Sequence, residues 1–550
     1  MTHFSWYVDG SIVGLYLVAT MVVGIMVRKY VGKVEHFLVA GREMDVYLGI
    51  ASLAATEFGV VTCMYTAQNG YDKGFAGATP GILSAAAMLL VGLTGFCIKP
   101  LRDAGVMTIP ELFQNRFGPR IRWLAGVVIV LGGLLNMGVF LRTGGEFLLL
   151  VCGFPLENAG AAPHTLGGFV GSHYLEIAMT VLLLTVVVYT ILGGMLSVLV
   201  TEFVQFVVMS IGLIAVTVLI LASSDIGWGR LVAAVEAKHG AGGFNPFVHP
   251  DMGWPYVVFN ALLCTAGMVT WMTMIQRLLA AKDTRTGRKI YTRTSFFFVC
   301  RFLVPGIWGI AALAVLTPEM VGGNSLYAMP KFLGAFVPMG LMGILLSAMI
   351  AADMSTDSSY MLTWGSVIYN DILAPFRRKP WSEKKGLFWN RSIVAFIGIF
   401  LLVYGLWYPL KGDLWTYLGV TGTIYLSSMS VLLVACCYWK RANNWGAAAA
   451  IIFGAAIPVA YLVLELVWKV QGVDSAGQVV VKSVVREAVG PYYSGIATYV
   501  AAGAAMVIGS LLKPTAPPQP GTEPASTAGP PAFGEARSRK ADEAGGPPRA

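Results

Sequence analysis

Apolar stretches of about 20 residues recur along nearly all of this 550-residue chain. A stretch of that length crosses the hydrocarbon core of a bilayer as an α-helix. Thirteen stretches qualify, which predicts an all-α polytopic membrane protein with about thirteen transmembrane helices. The pattern excludes a soluble multidomain enzyme, a disordered chain and a disulfide scaffold. The predicted spans are 6–27, 47–69, 76–98, 123–152, 174–195, 200–222, 254–279, 295–316, 335–371, 391–409, 412–434, 445–468 and 492–512.

The distribution of basic residues predicts how these spans are oriented. Of the 38 Lys and Arg residues, 28 fall in alternate loops and in the C-terminal tail, against eight on the opposite side. Such an excess marks the cytoplasmic side, so the N-terminus is predicted outside and the tail inside. The net charge of +9 therefore reflects topology and does not indicate a nucleic-acid partner. The cytoplasmic segments are 28–46, 99–122, 277–294, 372–391, 440–441 and 513–550.

The two ends and the external loops add little soluble structure. The segment Met1–Gly10 has no Lys or Arg and no cleavage site follows the first apolar run, so that run is predicted to be a retained span. The tail 513–550 is rich in proline and is predicted to be a disordered cytoplasmic extension. The external loops 153–173, 223–253 and 469–491 are each predicted to hold at most a short helix.

Cysteine and histidine usage indicates no cofactor chemistry. The seven cysteines lie mostly in apolar runs without a C-x-x-C spacing, which favours a packing role. The six histidines fall in loops or at the termini, which argues against a histidine-ligated metal or haem in the membrane. A G-x-x-x-x-G-K-[ST] phosphate loop does not occur. The sequence therefore predicts neither an enzyme nor an organic cofactor.

Charged side chains inside the predicted spans are few, and charge is costly there and usually functional. Arg142 and Glu146 lie four apart and are expected to pair on one helix face. An alternative is that Arg142 binds a substrate carboxylate. Arg301 is a further basic residue at or inside a span. The five acids and one arginine that stand out are Glu57, Arg142, Glu146, Glu202, Asp353 and Asp357.

The segment Ala54–Gly59 lies in the middle of the second span. Its glycine and its hydroxyl residues, around the acid Glu57, would weaken a straight helix there. A broken helix exposes unpaired carbonyls, which can ligate a cation if they line a cavity. The alternative is a small-residue face that packs against other helices. The acid favours the functional interpretation.

The segment Ala351–Ser359 in the ninth span concentrates hydroxyls and carboxylates at mid-membrane. Such oxygens are the ligands that a hard cation prefers. The alternative, in which Ser and Thr bond the carbonyls of their own helix, explains the hydroxyls but not the two aspartates. One helix face would carry Ala352, Ser355, Ser358 and Ser359, and the adjoining stripe Asp353, Thr356 and Asp357.

A third polar segment, Tyr189–Gln205, joins the fifth and sixth spans. Its Gly193-Gly194 pair predicts a tight connection, and Glu202 lies at the start of the following span. That carboxylate is either an inner-side cation ligand or a charge favoured by the helix dipole.

Five ordered segments of this chain resemble the sodium:solute symporter family along most of residues 1–512. The resemblance implies a LeuT-type core of two inverted five-helix repeats, about 47–222 and 254–434. The first helix of each repeat is expected to be interrupted, near Ala54–Gly59 and near Thr265–Gly267. The five segments are Ser52–Gly74, Lys99–Gly118, Tyr189–Gln205, Gln276–Asp283 and Ser347–Ser359.

The resemblance also implies where the coupling ion binds. In such symporters, carbonyls of the first core helix and hydroxyls of the eighth hold sodium. Some members are proposed to hold a second sodium ion at an acid and serines, which map to Glu202, Ser355, Ser358 and Ser359. The family usually has Asp where this chain has Glu202, so one or two ions remain open. The residues that match the shared site are Ala55, Phe58, Ala352, Ser355 and Thr356.

The solute is less readable from the sequence. Side chains across from the helix break are predicted to line its cavity, with Trp271 either holding a cation by a cation–π contact or packing in the core. The candidates for solute binding or coupling are Thr56, Glu57, Thr62, Tyr65, Gln68, Arg142, Trp271, Asp353 and Asp357.

These observations predict Na⁺-coupled symport of a small polar organic solute by alternating access in the cell membrane. No obligate protein partner is predicted. A proton-coupled transporter that uses Glu57, Asp353 and Asp357 is the main alternative. A channel and a transporter-like sensor are weaker alternatives. The predicted organisation is an extra helix and loop at 1–46, a ten-helix core at 47–434, two further helices at 435–512, and the tail at 513–550.

Overall fold

The structure is a computed structural model that describes residues 3–27, 42–156, 173–377, 381–408, 412–473 and 479–513. The predicted disordered tail lies, from residue 514 onward, outside the described residues. Parts of the predicted loops 28–46 and 153–173 also lie outside them. All elements described below belong to the compact unit Met1–Leu512.

Helices form nearly all of the regular structure in the described residues. A 49-residue helix, α9, is bent where Gly194 adopts φ 54° and ψ −153°. In the first half, the helices are α1 (Asp9–Val27), α2 (Val46–Glu57), α3 (Val60–Lys73), α4 (Thr79–Thr94), α5 (Ile98–Asp103), α6 (Ile109–Phe117), α7 (Pro119–Met137), α8 (Phe140–Cys152), α9 (Tyr174–Ala222) and α10 (Trp228–His239). In the second half, they are α11 (Gly253–Thr270), α12 (Met272–Ala280), α13 (Thr284–Thr294), α14 (Phe297–Val315), α15 (Pro318–Val321), α16 (Ala328–Phe336), α17 (Leu341–Val367), α18 (Glu383–Trp407), α19 (Leu414–Tyr438), α20 (Asn444–Val467), α21 (Val484–Ala488) and α22 (Gly490–Leu512).

Ten segments of the described chain are long and apolar enough to cross a membrane. The count of thirteen spans is not confirmed by that criterion. Helix α17 is not among the ten, because its Ser, Thr and Asp residues lower its mean hydropathy. It is nevertheless buried along most of its length. Its predicted start at 335 is wrong: α16 ends at Phe336, and α17 begins after Gly340, which adopts φ 87°.

Side-chain caps set where several helices begin. The Asp45 carboxylate accepts the Leu48 N–H at 2.8 Å and starts α2. Asp283 accepts the Thr286 N–H at 2.6 Å and starts α13. Such caps satisfy backbone donors that have no partner within the helix. The helix positions are therefore encoded locally.

The break predicted in the second span is present. Helix α2 ends at Glu57, Phe58 leaves the helical conformation (φ −118°, ψ 79°), and α3 starts after Gly59. A Cβ atom on Gly59 would lie 2.6 Å from the Thr356 Oγ1 of α17. The glycine therefore permits the break to approach α17 closely.

The break predicted near Thr265–Gly267 lies instead at Trp271, four residues beyond that segment. Gly267 remains inside α11, and Trp271 is extended (φ −65°, ψ 113°) between α11 and α12. The Trp271 ring stacks on Tyr425, with centroids 5.8 Å apart, and its Nε1 donates to the Tyr360 hydroxyl at 3.1 Å. Long-range aromatic contacts, not the glycine, accompany the break.

One of the loops predicted to be external differs from its prediction. The loop 469–491 contains an antiparallel pair, β1 (Lys469–Val473) and β2 (Val479–Ser483), followed by α21. The prediction of at most a short helix is wrong here, because the three consecutive valines of β2, which are β-branched, favour a strand. The loop 223–253 does hold a short helix, α10.

Candidate functional site

The α2–α3 break faces the hydroxyl-rich side of α17. The Ser355 hydroxyl lies 2.8 Å from the Ala55 carbonyl oxygen and 2.9 Å from the Ala352 carbonyl oxygen. The Thr356 hydroxyl donates to the Thr56 carbonyl at 3.0 Å. These groups are buried, and together they place carbonyl and hydroxyl oxygens of two helices side by side.

Four of the five residues implied for the sodium site thus meet at this cluster. Phe58, the fifth, is buried at the C-terminus of α2, and its N–H donates to the Ala55 carbonyl at 3.4 Å. The cluster consists of neutral oxygens, which suit a small hard cation. We call Ala55, Ala352, Ser355 and Thr356 the oxygen cluster.

A cavity of about 110 Å³ lies beside the oxygen cluster. That volume is several times what one water molecule needs. Both helix breaks contribute to its wall, through Glu57 on one side and Trp271 on the other. The predicted residues that line it are Thr56, Glu57, Thr62, Tyr65, Trp271 and Thr356. The other lining residues are Val61, Ser84, Asn136, Phe140, Leu263, Cys264, Gly267, Met268, Met274, Phe298, Arg301, Phe302, Tyr360, Trp415, Leu418, Gly419 and Leu426.

Glu57 and Arg301 are the acidic and basic side chains in that wall. Arg301 Nη1 lies 3.4 Å from Glu57 Oε2. Glu57 Oε1 accepts a hydrogen bond from the Thr273 hydroxyl at 2.7 Å. Arg301 Nη2 donates to the Tyr65 hydroxyl at 2.9 Å and lies 3.3 Å from the Thr62 hydroxyl. The sequence shows Arg301 inside a span, but only the structure points it at the cavity.

The second cluster around Glu202 contains a residue that the sequence interpretation misplaced. Arg277, assigned to the cytoplasmic loop 277–294, belongs to α12 and is fully buried. Its Nη2 lies 2.6 Å from Glu202 Oε1. The buried setting follows from packing, because Arg277 stands at the boundary of an apolar run where the sequence fits either location.

Hydroxyls complete the shell around that ion pair. Thr56 donates to Glu202 Oε1 at 2.7 Å, and Ser52 and Ser359 also donate to the carboxylate. Arg277 in turn donates to the Ser52 oxygen at 3.2 Å and to Ser359.

Of the residues implied for a second sodium site, Glu202 and Ser359 are hydrogen-bonded to each other, and the Arg277 guanidinium contacts both. Ser358 donates instead to the Ser355 carbonyl at 3.2 Å. The second set of ligands is therefore not assembled as the resemblance implies.

Four of the candidates for solute binding lie outside the cavity wall: Gln68, Arg142, Asp353 and Asp357. Gln68 bonds Ser325 and the Gly412 carbonyl, each at 3.1 Å, and accepts the Leu414 N–H at 3.0 Å. These contacts tie α3 to the start of α19. The predicted placement of Gln68 in the cavity is wrong.

Arg142 pairs with Glu146 at 2.8 Å, as their spacing predicts. Its Nη1 also donates to the Gly405 carbonyl of α18 at 3.0 Å. The pair links α8 to α18 and is not part of the cavity wall.

Asp353 and Asp357 are buried on α17 outside the cavity wall. Both oxygens of Asp357 and one oxygen of Asp353 have no hydrogen-bond partner among the described residues. A Cβ atom on Gly144 of α8 would lie 2.9 Å from Asp353 Oδ1. Asp353 therefore packs against α8, and Asp357 is buried on the same helix; neither forms an ion pair among the described residues.

Two interrupted helices that line one cavity, with a cluster of hydroxyl and carbonyl oxygens at the first break, are typical of a secondary transporter. The model of the sodium:solute symporter family matches residues 37–454, and the chain belongs to that family. The protein is accordingly a sodium-coupled symporter of a small solute, an integral membrane protein and not an enzyme.

Individual relatives agree with this assignment. The chain is 26% identical over 512 residues to sodium/glucose cotransporter 4 of Danio rerio, which covers 86% of this chain and 73% of the relative. It is 25% identical to the sodium/myo-inositol cotransporter of Mus musculus, over 80% of this chain and 64% of the relative. A solved Na⁺-coupled sialic acid symporter superposes with a TM-score of 0.71 at 19% identity, covering 92% of this chain and 98% of that one. That likeness confirms the LeuT-type fold.

Proposed function

We propose that the oxygen cluster, with the Phe58 carbonyl, binds the coupling sodium ion. The observation that carries the proposal is the meeting of Ser355 with the Ala55 carbonyl, which joins the broken helix to α17. Sodium bound there would stabilise one arrangement of the two helices. Since a coupling free energy of roughly 1–3 kcal/mol gives about 5- to 150-fold coupling, a single ion suffices to drive solute binding.

The Ser355→Ala/Thr356→Ala double variant tests this site. Removing two hydroxyl ligands is expected to raise the half-saturating sodium concentration at least about tenfold, measured by ²²Na⁺ binding to the purified protein. Ser392→Ala, which alters an exposed hydroxyl of α18 bonded only to its own helix, is the control. An unchanged sodium affinity in the double variant would contradict the assignment.

The stoichiometry that we propose is one sodium ion per cycle. Arg277 supplies a tethered positive charge to Glu202, so the acid has no need of a second ion. Sodium binding is therefore expected to show a Hill coefficient of 1 and one ion bound per chain. Two ions per chain at saturation would refute the single-ion stoichiometry and leave the first site intact.

We infer that residues 47–434 form the transport core, with repeats of about 47–222 and 254–434, and that 1–46 and 435–512 contribute accessory helices. The chain would lie in the cytoplasmic membrane with its N-terminus outside and its tail inside. The cytoplasmic excess of Lys and Arg supports this orientation. Labelling single cysteines placed at the two termini from each side of the membrane tests it.

A proton-coupled mechanism is a second candidate, and the unpartnered Asp353 and Asp357 favour it. If protons drive transport, uptake would follow a pH gradient without sodium and would be lost in Asp357→Asn. If sodium drives it, uptake in that variant would still follow the sodium gradient. Sodium coupling and proton coupling are distinguished by measuring uptake into proteoliposomes with either a sodium gradient or a pH gradient imposed alone.

A further inference from the structure

Several hydroxyl and amide groups of the cavity wall make hydrogen bonds within the protein. Asn136 Nδ2 donates to the Leu418 carbonyl at 2.9 Å and to the Thr421 hydroxyl at 3.0 Å. The Tyr360 hydroxyl accepts from Trp271, and the Tyr65 hydroxyl accepts from Arg301. Groups engaged in this way offer fewer hydrogen bonds to a polyhydroxylated solute, and unpaired polar groups in a closed site are costly.

Arg301 is the basic side chain in that wall, and 14% of its side chain is exposed. Its Nε atom is buried and has no hydrogen-bond partner. Its ion pair with Glu57, at 3.4 Å, is longer than those of Arg277 with Glu202 at 2.6 Å and of Arg142 with Glu146 at 2.8 Å. A guanidinium fork matches a carboxylate in a bidentate geometry.

The charge balance of the site favours an anionic solute. Of the residues that line the cavity or form the oxygen cluster, Glu57 and Arg301 are charged and cancel, so a bound sodium ion adds one positive charge there. Asp353 and Asp357 lie on the same helix as Ser355 and Thr356 but do not line the cavity. Thr356 belongs to both the oxygen cluster and the cavity wall, so that charge would lie beside the solute. A buried charge is stabilised by a partner of opposite sign. A monocarboxylate supplies it, whereas a sugar or a zwitterion does not.

The rest of the wall suits an apolar body on that solute. Val61, Phe140 and Leu263 line one part of the cavity, and Phe298, Phe302 and Leu426 another. Burial of apolar solute surface against these side chains favours binding.

We propose that the solute is a small organic monocarboxylate with an apolar body, whose carboxylate is held by Arg301. This proposal rests on the sodium site described under Proposed function and names the substrate class of the adjoining cavity. One sodium ion and one carboxylate per cycle make the loaded site electrically neutral. Transport of that pair carries no net charge across the membrane.

Pairs of carboxylates and their uncharged amides test the proposal on the purified full-length chain. The probes are propionate, butyrate, benzoate and phenylacetate, the four corresponding amides, glucose and myo-inositol. The unfolding temperature is measured with each probe in sodium chloride and in potassium chloride. At least one carboxylate is expected to raise it in sodium only, while the matching amide does not.

The Arg301→Gln variant then identifies the binding group. The half-saturating concentration of the stabilising carboxylate should rise on the order of ten- to a hundredfold, with Arg301→Lys in between, while ²²Na⁺ binding changes little. If Arg301→Gln does not fold, the comparison of each acid with its amide on the unaltered chain still tests whether the solute is a carboxylate.

Three results would overturn the carboxylate assignment: equal stabilisation by acid and amide, stabilisation by glucose or myo-inositol, or no effect of any of the four acids. In each case the proposed sodium site is still supported if the unaltered chain binds sodium and the Ser355→Ala/Thr356→Ala variant does not. If the unaltered chain does not bind sodium, the proposed function itself is refuted.

Discussion

Two Arg–Glu pairs lie at helix α2, one with Glu57 of that helix and one hydrogen-bonded to its Ser52 and Thr56, and they differ in almost every respect but composition. Arg277 and Glu202 are fully buried, 2.6 Å apart, and three hydroxyls complete their hydrogen bonds. Arg301 and Glu57 are 3.4 Å apart, the arginine is 14% exposed towards the cavity, and its Nε atom has no partner. The first pair is closed to any ligand, and the second is open to one.

The difference shows how one residue pair serves structure in one place and recognition in another. A buried ion pair is stable only when further hydrogen bonds satisfy its remaining donors and acceptors. The Glu202 pair meets that condition within the protein. The Glu57 pair does not meet it. Because folding has already removed Arg301 from bulk water, a solute that supplies an acceptor for Arg301 does not have to desolvate that guanidinium again.

The largest expected effect is on the closed pair. Arg277→Gln leaves Glu202 buried without its cation and should lower the free energy of unfolding by about 3–5 kcal/mol. Unfolding of the detergent-solubilised chain measures it. The Arg277→Gln/Glu202→Gln double variant should recover part of the loss, because no unpaired charge remains. A single variant as stable as the unaltered chain would show that the pair is not closed as described.

A smaller loss of stability is expected at the open pair. Arg301→Gln should lower the free energy of unfolding by about 1.5–3 kcal/mol, because the cavity already leaves that guanidinium partly unsatisfied. The same unfolding experiment on both variants gives the comparison directly. If Arg301→Gln costs as much as Arg277→Gln, the contrast between the two pairs is refuted.

The α2–α3 helix break offers a more local test, which concerns the proposed sodium site. The Cβ atom of Gly59→Ala would lie 2.6 Å from Thr356 Oγ1 and should displace that hydroxyl from the oxygen cluster. We expect the half-saturating sodium concentration to rise about three- to tenfold, or roughly 0.6–1.4 kcal/mol. Gly503→Ala in α22 is the matched control, since nothing lies within 4 Å of its added Cβ atom. Equal ²²Na⁺ affinity in Gly59→Ala and Gly503→Ala would show that the helix break does not contribute to sodium binding.

The smallest effect is expected at Arg142 and Glu146, the pair that joins α8 to α18. The Arg142→Gln/Glu146→Gln double variant removes both charges at once and leaves no unpaired ion. Sodium affinity and the affinity for any stabilising carboxylate should change less than about threefold, or roughly 0.7 kcal/mol. A tenfold loss of carboxylate affinity would move the recognition role from Arg301 to Arg142.

Features that depend on neighbours along the chain could be predicted from the sequence. The break at Glu57–Gly59 follows from a glycine and an acid within an apolar helix, and the Arg142–Glu146 pair follows from the four-residue spacing of a helix face. The concentration of hydroxyls on α17 is likewise periodic. Each of these needs only the geometry of one helix.

Features that depend on distant segments were decided by the tertiary structure. The second break lies at Trp271 because that ring meets Tyr360 and Tyr425, which are far away in the chain. Arg277 lies 75 residues from Glu202, and Arg301 lies 244 residues from Glu57.

The apolar runs determined that the chain is a helical membrane protein, and the spacing of polar residues located the helices that carry the proposed sodium site. Which arginine is sealed by hydroxyls and which one faces the cavity depended on how the helices pack around one another. Helix periodicity states which residues share a face, but it does not state what that face meets, because contacts between helices are set by the packing of the whole bundle.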